Sequence, residues 1–172
     1  MDVLDAMKGR RSVRNYQPTP LSAELIQRIF NTVRMAPSVD NLQPWRFVLV
    51  NDEDIKRQLA AASNNQKWIA EAPLVVVACG LLDEAQGMIG GYMNSYPVDV
   101  AMAMAYLTLA AHNEGLGTCW VSAFNEEKVR AAIGAPDDVK VVALTPLGVP
   151  RGDPEPSGRK HLNEIVCYNR YE

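Results

Sequence analysis

Apolar and polar positions along this chain switch between a helical period and a strand period, and the switches mark its elements. Residues 2 to 9 set Val3, Leu4 and Met7 on one side of a short helix ahead of Gly9. Pro18 and Pro20 then turn the chain. Ser22 suits an N-cap with Glu24 in the first turn, and Leu25, Ile26, Ile29, Phe30 and Val33 share one helical face. Pro37 ends that helix near Met35 or Ala36. Residues 38 to 44 have turn chemistry and no period, and they lead into Trp45–Val50, which reads as a strand. Asn51 and Asp52 cap a helix over about 53 to 62. Leu74 to Ala78, apolar and β-branched after Pro73, reads as a central strand.

The signal fades from Leu81 to Tyr96, where Gly87, Gly90, Gly91 and Asn94 suggest a mobile loop or lid. Pro97 to Glu114 is a long helix, apolar on nearly every face, ended by Gly115 and Gly117. Thr118 to Ser122 reads as a strand, Glu126 to Ile133 as a helix and Val139 to Leu147 as a strand. The tail 148–172 is rich in Pro and Gly. Its segment Ile165-Val166-Cys167-Tyr168 can add a strand to a sheet, either its own or that of a second chain. A helix apolar all round in so small a chain predicts burial at a subunit interface, and hence an obligate dimer.

Composition narrows the class. The chain has 172 residues, 48% hydrophobic and 22% charged, which predicts one domain with a substantial core. A formal net charge of −3 gives no reason to expect nucleic acid as a partner. The cysteines Cys79, Cys119 and Cys167 form no C-x-x-C pair and only His112 and His161 could join them, so neither a zinc site nor a disulfide framework is expected. The run Val100 to Ala111 is too short for a bilayer span, and the N-terminal residues lack the apolar stretch of a signal peptide. The expected setting is cytoplasmic, without a membrane.

Several catalytic signatures are missing. Gly115-Leu116-Gly117 continues to Trp120 where a dinucleotide fingerprint needs glycine, and it closes a helix where the fingerprint opens one. There is no phosphate-loop motif, no H-E-x-x-H and no nucleophile elbow. His112 reads as a helix C-terminal residue facing the dipole. The densest chemistry is Arg10-Arg11-Ser12-Val13-Arg14. In an extended segment Arg10, Ser12 and Arg14 share one side, so two guanidinium forks and a hydroxyl can converge on a phosphate dianion; a solvated basic face is the alternative. A second signal is residues 36 to 45, Ala-Pro-Ser-Val-Asp-Asn-Leu-Gln-Pro-Trp, which pack hydroxyl and amide groups between two prolines. Arg159-Lys160 is a third, late basic pair able to return to the same phosphate.

In this order and spacing the motifs resemble the FMN-dependent nitroreductase family, over residues 2 to 167. The resemblance implies an α+β fold, an αβα sandwich around a mixed, mainly antiparallel sheet, in one domain spanning residues 1–172. It also implies a homodimer with a domain-swapped C-terminal extension and FMN at the subunit interface. By position, Arg10, Ser12 and Arg14 match the family's phosphate-end residues, with Arg11 in the same segment. Arg159 matches the C-terminal phosphate ligand and Lys160 accompanies it. Pro37, Ser38, Val39 and Asn41 match the loop that the partner chain lays on the flavin. Asn65 with Gln66 falls near an amide contact to the ribityl chain or ring edge. Trp120 to Ala123 aligns with the strand end near the flavin N5 edge, where Ser122-Ala123 replaces the Glu-Gly pair of larger relatives.

The implied activity is reduction of nitroaromatics, quinones or similar electron-poor acceptors with NADH or NADPH, by a ping-pong cycle in which no side chain is required as acid or base. Within the same framework stand specialised chemistries, namely dehalogenation, flavin fragmentation and azoline oxidation. From another class stands a non-catalytic FMN-binding or storage protein. A basic module binding polyanions through residues 8 to 14 is disfavoured by the net charge.

Overall fold

The computed structural model describes residues 2–171 and confirms an α+β fold of six helices and one four-stranded sheet. The helices are α1 (Val3–Gly9), α2 (Ala23–Val33), α3 (Glu53–Ala62), α4 (Trp68–Glu71), α5 (Tyr96–Asn113) and α6 (Glu126–Ala132). The strands are β1 (Trp45–Val50), β2 (Leu74–Leu81), β3 (Gly117–Thr118) and β4 (Val139–Gly148), in the order β1-β2-β4-β3. All three pairings are antiparallel; the parallel component is a single bridge between Ser12 and Thr118.

Local chemistry explains the helix starts. Asp2, Ser22, Asp52 and Asn125 each accept a backbone N–H of the first turn of α1, α2, α3 and α6, satisfying a donor that has no partner inside the helix. In α5 Pro97 sits in the first turn, where its missing N–H costs nothing. Gly115, with φ of 76°, ends it in the left-handed conformation.

The two central strands are buried on both faces, and alternate residues feed two cores. Val76 and Ala78 pack with Ile29 and Val33 of α2 and Val100, Met104 and Leu107 of α5. Val75, Val77 and Cys79 pack with Leu59 of α3, Ile69 of α4 and Val129 of α6. This is a three-layer αβα sandwich. The β2–β4 register shifts between Ala78 and Cys79, where an extra residue lets Val142 and Ala143 face the same core. Before the bulge Val139 and Val141 face the α3–α6 side, and after it Leu144 does.

Three readings are corrected. The strand expected over 118–122 is reduced to Gly117–Thr118 plus a bridge from Val121 to Leu144, because the Cys119 N–H turns to Thr145 Oγ1, 3.1 Å away, and leaves the ladder. The strand expected over 74–78 runs on to Leu81, since β1 offers partners as far as Trp45 opposite Gly80. Residues 165–168 form no strand in this chain; they follow a single 3-10 turn at Leu162–Glu164 and are exposed. Helix α4 has no counterpart among the expected elements. Among the described residues no helix is long and apolar enough to cross a membrane.

Candidate functional site

The basic segment after α1 is laid along the short edge strand. Ser12 bridges Thr118, the Val13 N–H donates to the Thr118 carbonyl at 2.9 Å, and the Tyr16 hydroxyl returns to the Val13 carbonyl at 2.6 Å. Val13 and Tyr16 are buried, while Ser12 and Arg14 are exposed and Arg10 is half-buried. Val13 is thus turned inward between exposed Ser12 and Arg14, whereas Arg10 and Arg11 are both half-buried. Gly117 makes the close approach possible: a Cβ there would stand 2.6 Å from Val13 Cγ2.

Arg11 is engaged elsewhere. Its guanidinium donates to the carbonyls of Lys8 at 2.5 Å and Arg10 at 3.0 Å, so it satisfies the C-terminal end of α1. Arg14 points the other way, over Trp68, which opens α4. That contact brings the basic segment beside the turn holding Asn65 and Gln66. Asn64 and Asn65 are both left-handed, each with φ of 56°, a conformation asparagine tolerates better than most residues. Gln66 Nε2 donates to the Ser63 carbonyl at 2.9 Å, fixing the turn.

Beyond Thr118 the chain alternates again. Cys119 and Val121 are buried, whereas Trp120 and Ser122 are exposed, with Trp120 at 41%. Burial pushes the Cys119 thiol upward, against the pull of Arg14, of a hydrogen bond with Ser12 and of Arg10, so it offers no thiolate. Burial lowers the His112 pKa, helped by Arg10 and Arg11, whose charges disfavour a third cation. An open groove of about 460 Å³ runs between Arg10, Arg11, His112 and Thr118 on one side and Pro150–Pro156 on the other.

The start of the tail covers this region. Arg151 N–H donates to the Asn15 carbonyl at 2.9 Å, and residues 151–155 wall a second concavity of about 410 Å³ with Ser12 and Arg14. Arg159 hydrogen-bonds only locally, to the Ser157 and Gly158 carbonyls at 3.2 and 2.8 Å, and Lys160 is exposed nearby. The loop carrying Pro37, Ser38, Val39 and Asn41 lies at the opposite end of α5. The Val39 N–H binds Asp99 in the first turn of α5, whereas Gly9, at the end of α1, abuts His112 in its last turn. Asp99 and His112 are thirteen helical steps apart, about 20 Å at 1.5 Å per residue. A single chain thus sets Ser12 beside Thr118 and Arg14 over Trp68, three residues after Asn65, and places the 37–41 loop at the other end of α5 from Gly9.

Two residues of the site, Trp68 and Asp99, do not stand out in the sequence. An aromatic after an Asn-Asn-Gln turn and one acid inside an otherwise apolar helix are their signals.

Known proteins resemble this chain over most of its length. The model of the nitroreductase family matches residues 7–149. The chain is 31% identical to an NADH dehydrogenase of Thermus thermophilus over 98% of its own length and 96% of that protein's. It is 35% identical to a 5,6-dimethylbenzimidazole synthase of Rhodospirillum rubrum, covering 87% and 83% of the two chains. The crystal structure of a nitroreductase family protein from Clostridium novyi NT superposes with a TM-score of 0.84 at 34% identity, covering 91% and 89%. The protein belongs to the nitroreductase family, and its relatives there are oxidoreductases.

Proposed function

We propose that this chain is an FMN-dependent NAD(P)H oxidoreductase reducing nitroaromatics, quinones or similar electron-poor acceptors, and that it works as a homodimer. The observation carrying the reading is the open row of Arg10, Ser12 and Arg14, pinned by Thr118 beside the Asn65–Trp68 turn. Two guanidinium groups and a hydroxyl on one side of an extended segment suit a phosphate dianion, so the donor set fits FMN. When bound, the flavin supplies a ring that takes and gives hydride.

In this reading Arg10 and Arg14 neutralise the phosphate and the Ser12 hydroxyl donates to it. Asn65 and Gln66 offer amide groups to the ribityl chain or ring edge. Trp120 and Ser122 border the N5 edge. The second chain lays Pro37, Ser38, Val39 and Asn41 on the ring, and its tail brings Arg159 and Lys160 back to the phosphate. Arg11 serves the same segment from the end of α1, keeping it extended. A bound flavin would take hydride from NADH or NADPH and pass it to the acceptor, with protons supplied by solvent.

A dimer is supported by apolar surface that a lone chain leaves in water. Val3, Leu4 and Met7 of α1, Val98 and Tyr106 of α5, and Leu162, Ile165 and Tyr168 of the tail are all exposed. The tail is read as crossing onto the partner beyond Arg151, since Gly148 belongs to β4 and the Arg151 N–H is bonded to Asn15 of its own chain. A cytoplasmic setting belongs to the same reading, since buried thiols such as Cys79 and Cys119 stay reduced there.

The test is two half-reactions in one anaerobic cuvette. The FMN-loaded protein is expected to lose flavin absorbance with NADH or NADPH and to regain it with a quinone or nitroaromatic. Flavin that NAD(P)H leaves oxidised would turn the reading to a storage protein. The identity with the 5,6-dimethylbenzimidazole synthase favours one second reading, a synthase of that compound. Recovery of 5,6-dimethylbenzimidazole after aerobic incubation of the loaded protein with NADH would select it.

A further inference from the structure

The loop before β1 holds its shape at a cost. Asp40, Asn41 and Gln43 are all left-handed, with φ of 49°, 57° and 53°, a region that Asp and Asn enter more readily than other side chains but that Gln avoids. All three are exposed, so burial does not compensate them. The loop is knitted within itself: the Gln43 N–H donates to Ser38 Oγ at 2.9 Å, Gln43 Nε2 to the Asn41 carbonyl at 3.1 Å, and the Asn41 N–H to the Ser38 carbonyl at 3.1 Å. Those bonds set its form and leave its place on the molecule undetermined.

One carboxylate reaches it from α5. Asp99 Oδ1 accepts the Val39 N–H at 2.8 Å. Asp99 is fully buried at 0% exposure, and its Oδ2 has no hydrogen-bond partner. A buried acid with an unpaired oxygen is expensive, even with the positive end of a helix dipole beside it. An apolar residue would have served the packing of α5 better, as Val100, Ala103, Met104 and Leu107 do.

We infer that Asp99 is a positioning residue: by holding the Val39 N–H it locks the preformed loop 38–43 to the first turn of α5. This rests on the proposed function, in which that loop faces the partner's flavin, and it goes further by naming what aims the loop. Rigid placement spares the ordering cost that a mobile loop would incur on each binding event.

The test compares the wild type with Asp99→Ala, Asp99→Asn and Val39→Pro, measuring amide hydrogen exchange at Val39 without FMN in the wild type and the two Asp99 variants, and FMN affinity in all four. Asparagine keeps an acceptor oxygen. Proline removes the donor without touching the core, and the extended backbone of Ser38, at φ −142° and ψ 161°, accepts a following proline. Asp99→Ala is expected to speed Val39 exchange and weaken FMN binding by about tenfold or more, Val39→Pro to weaken it equally, and Asp99→Asn to restore most of both. Wild-type exchange at Val39 in Asp99→Ala overturns the inference. So does FMN affinity within about twofold of wild type in Val39→Pro, the variant that decides if Asp99→Ala does not fold. Wild-type protein that takes up no FMN would instead defeat the functional reading, and the exchange data would still judge the Asp99 tie.

Discussion

The guanidinium of Arg14 stands over the indole of Trp68, with Cζ 5.8 Å from the ring centroid. The contact spans two stretches of sequence that share no local motif, and it orients a cation next to the turn of Asn65 and Gln66. A planar cation stacked on an aromatic face keeps its edge N–H groups available for an anion.

Arg14→Ala is therefore expected to weaken FMN binding by about 1.5–3 kcal/mol, the usual value of a hydrogen bond to a charged group. Trp68→Ala keeps the cation but removes its platform, and with it packing against Val13, Tyr16 and Ala72; a loss of about 0.5–1 kcal/mol in FMN binding is expected, alongside a lower folding stability. Fluorescence titration with FMN measures both. Equal losses in the two variants would mean that Trp68 contributes more than orientation.

Gly117→Ala tests how the basic segment is docked. The added Cβ would meet Val13 at 2.6 Å from Cγ2 and 2.7 Å from Cβ, and the Val13 Cβ cannot swing aside. The segment has to lift from the edge strand, and a destabilisation of about 1–3 kcal/mol is expected, together with weaker FMN binding. Urea unfolding gives the first value and the FMN titration the second.

Much of this arrangement is legible in the amino-acid sequence. The helix caps at Ser22 and Asp52, the helix end at Gly115, and the inward turn of Val13 between Ser12 and Arg14 all depend on neighbours in the chain. The features that escape such a reading depend on distant partners. Helix α4 has no side-chain cap at Lys67 and only four residues, so nothing local announces it. The strand at 118–122 breaks because of Thr145, which lies 26 residues from Cys119. The role of Asp99 comes from Val39, 60 residues away, and its own neighbours suggest only packing. Arg159 and Lys160 are exposed in the single chain, far along a tail without regular structure.

His112 should leave a mark on stability. Its pKa is lowered in the fold by burial and by Arg10 and Arg11, so the unfolded chain takes up a proton first as pH falls. Unfolded chains then bind more protons than folded ones, and stability declines as pH drops below the ordinary histidine value of about 6.5 toward the lower folded value. Urea midpoints measured from neutral to mildly acid pH should fall less steeply in His112→Asn than in the wild type. Parallel slopes would show that His112 does not contribute. Because the ring is only partly buried, the effect is expected to be small.

A flavin site completed by two chains is the central claim, and sedimentation velocity followed at both protein and flavin absorbance tests it most directly. The FMN-loaded protein is expected to sediment as a dimer, with all bound flavin travelling in that boundary and one FMN per chain. Flavin travelling stoichiometrically with a monomer, or protein sedimenting free of flavin in excess FMN, would contradict it.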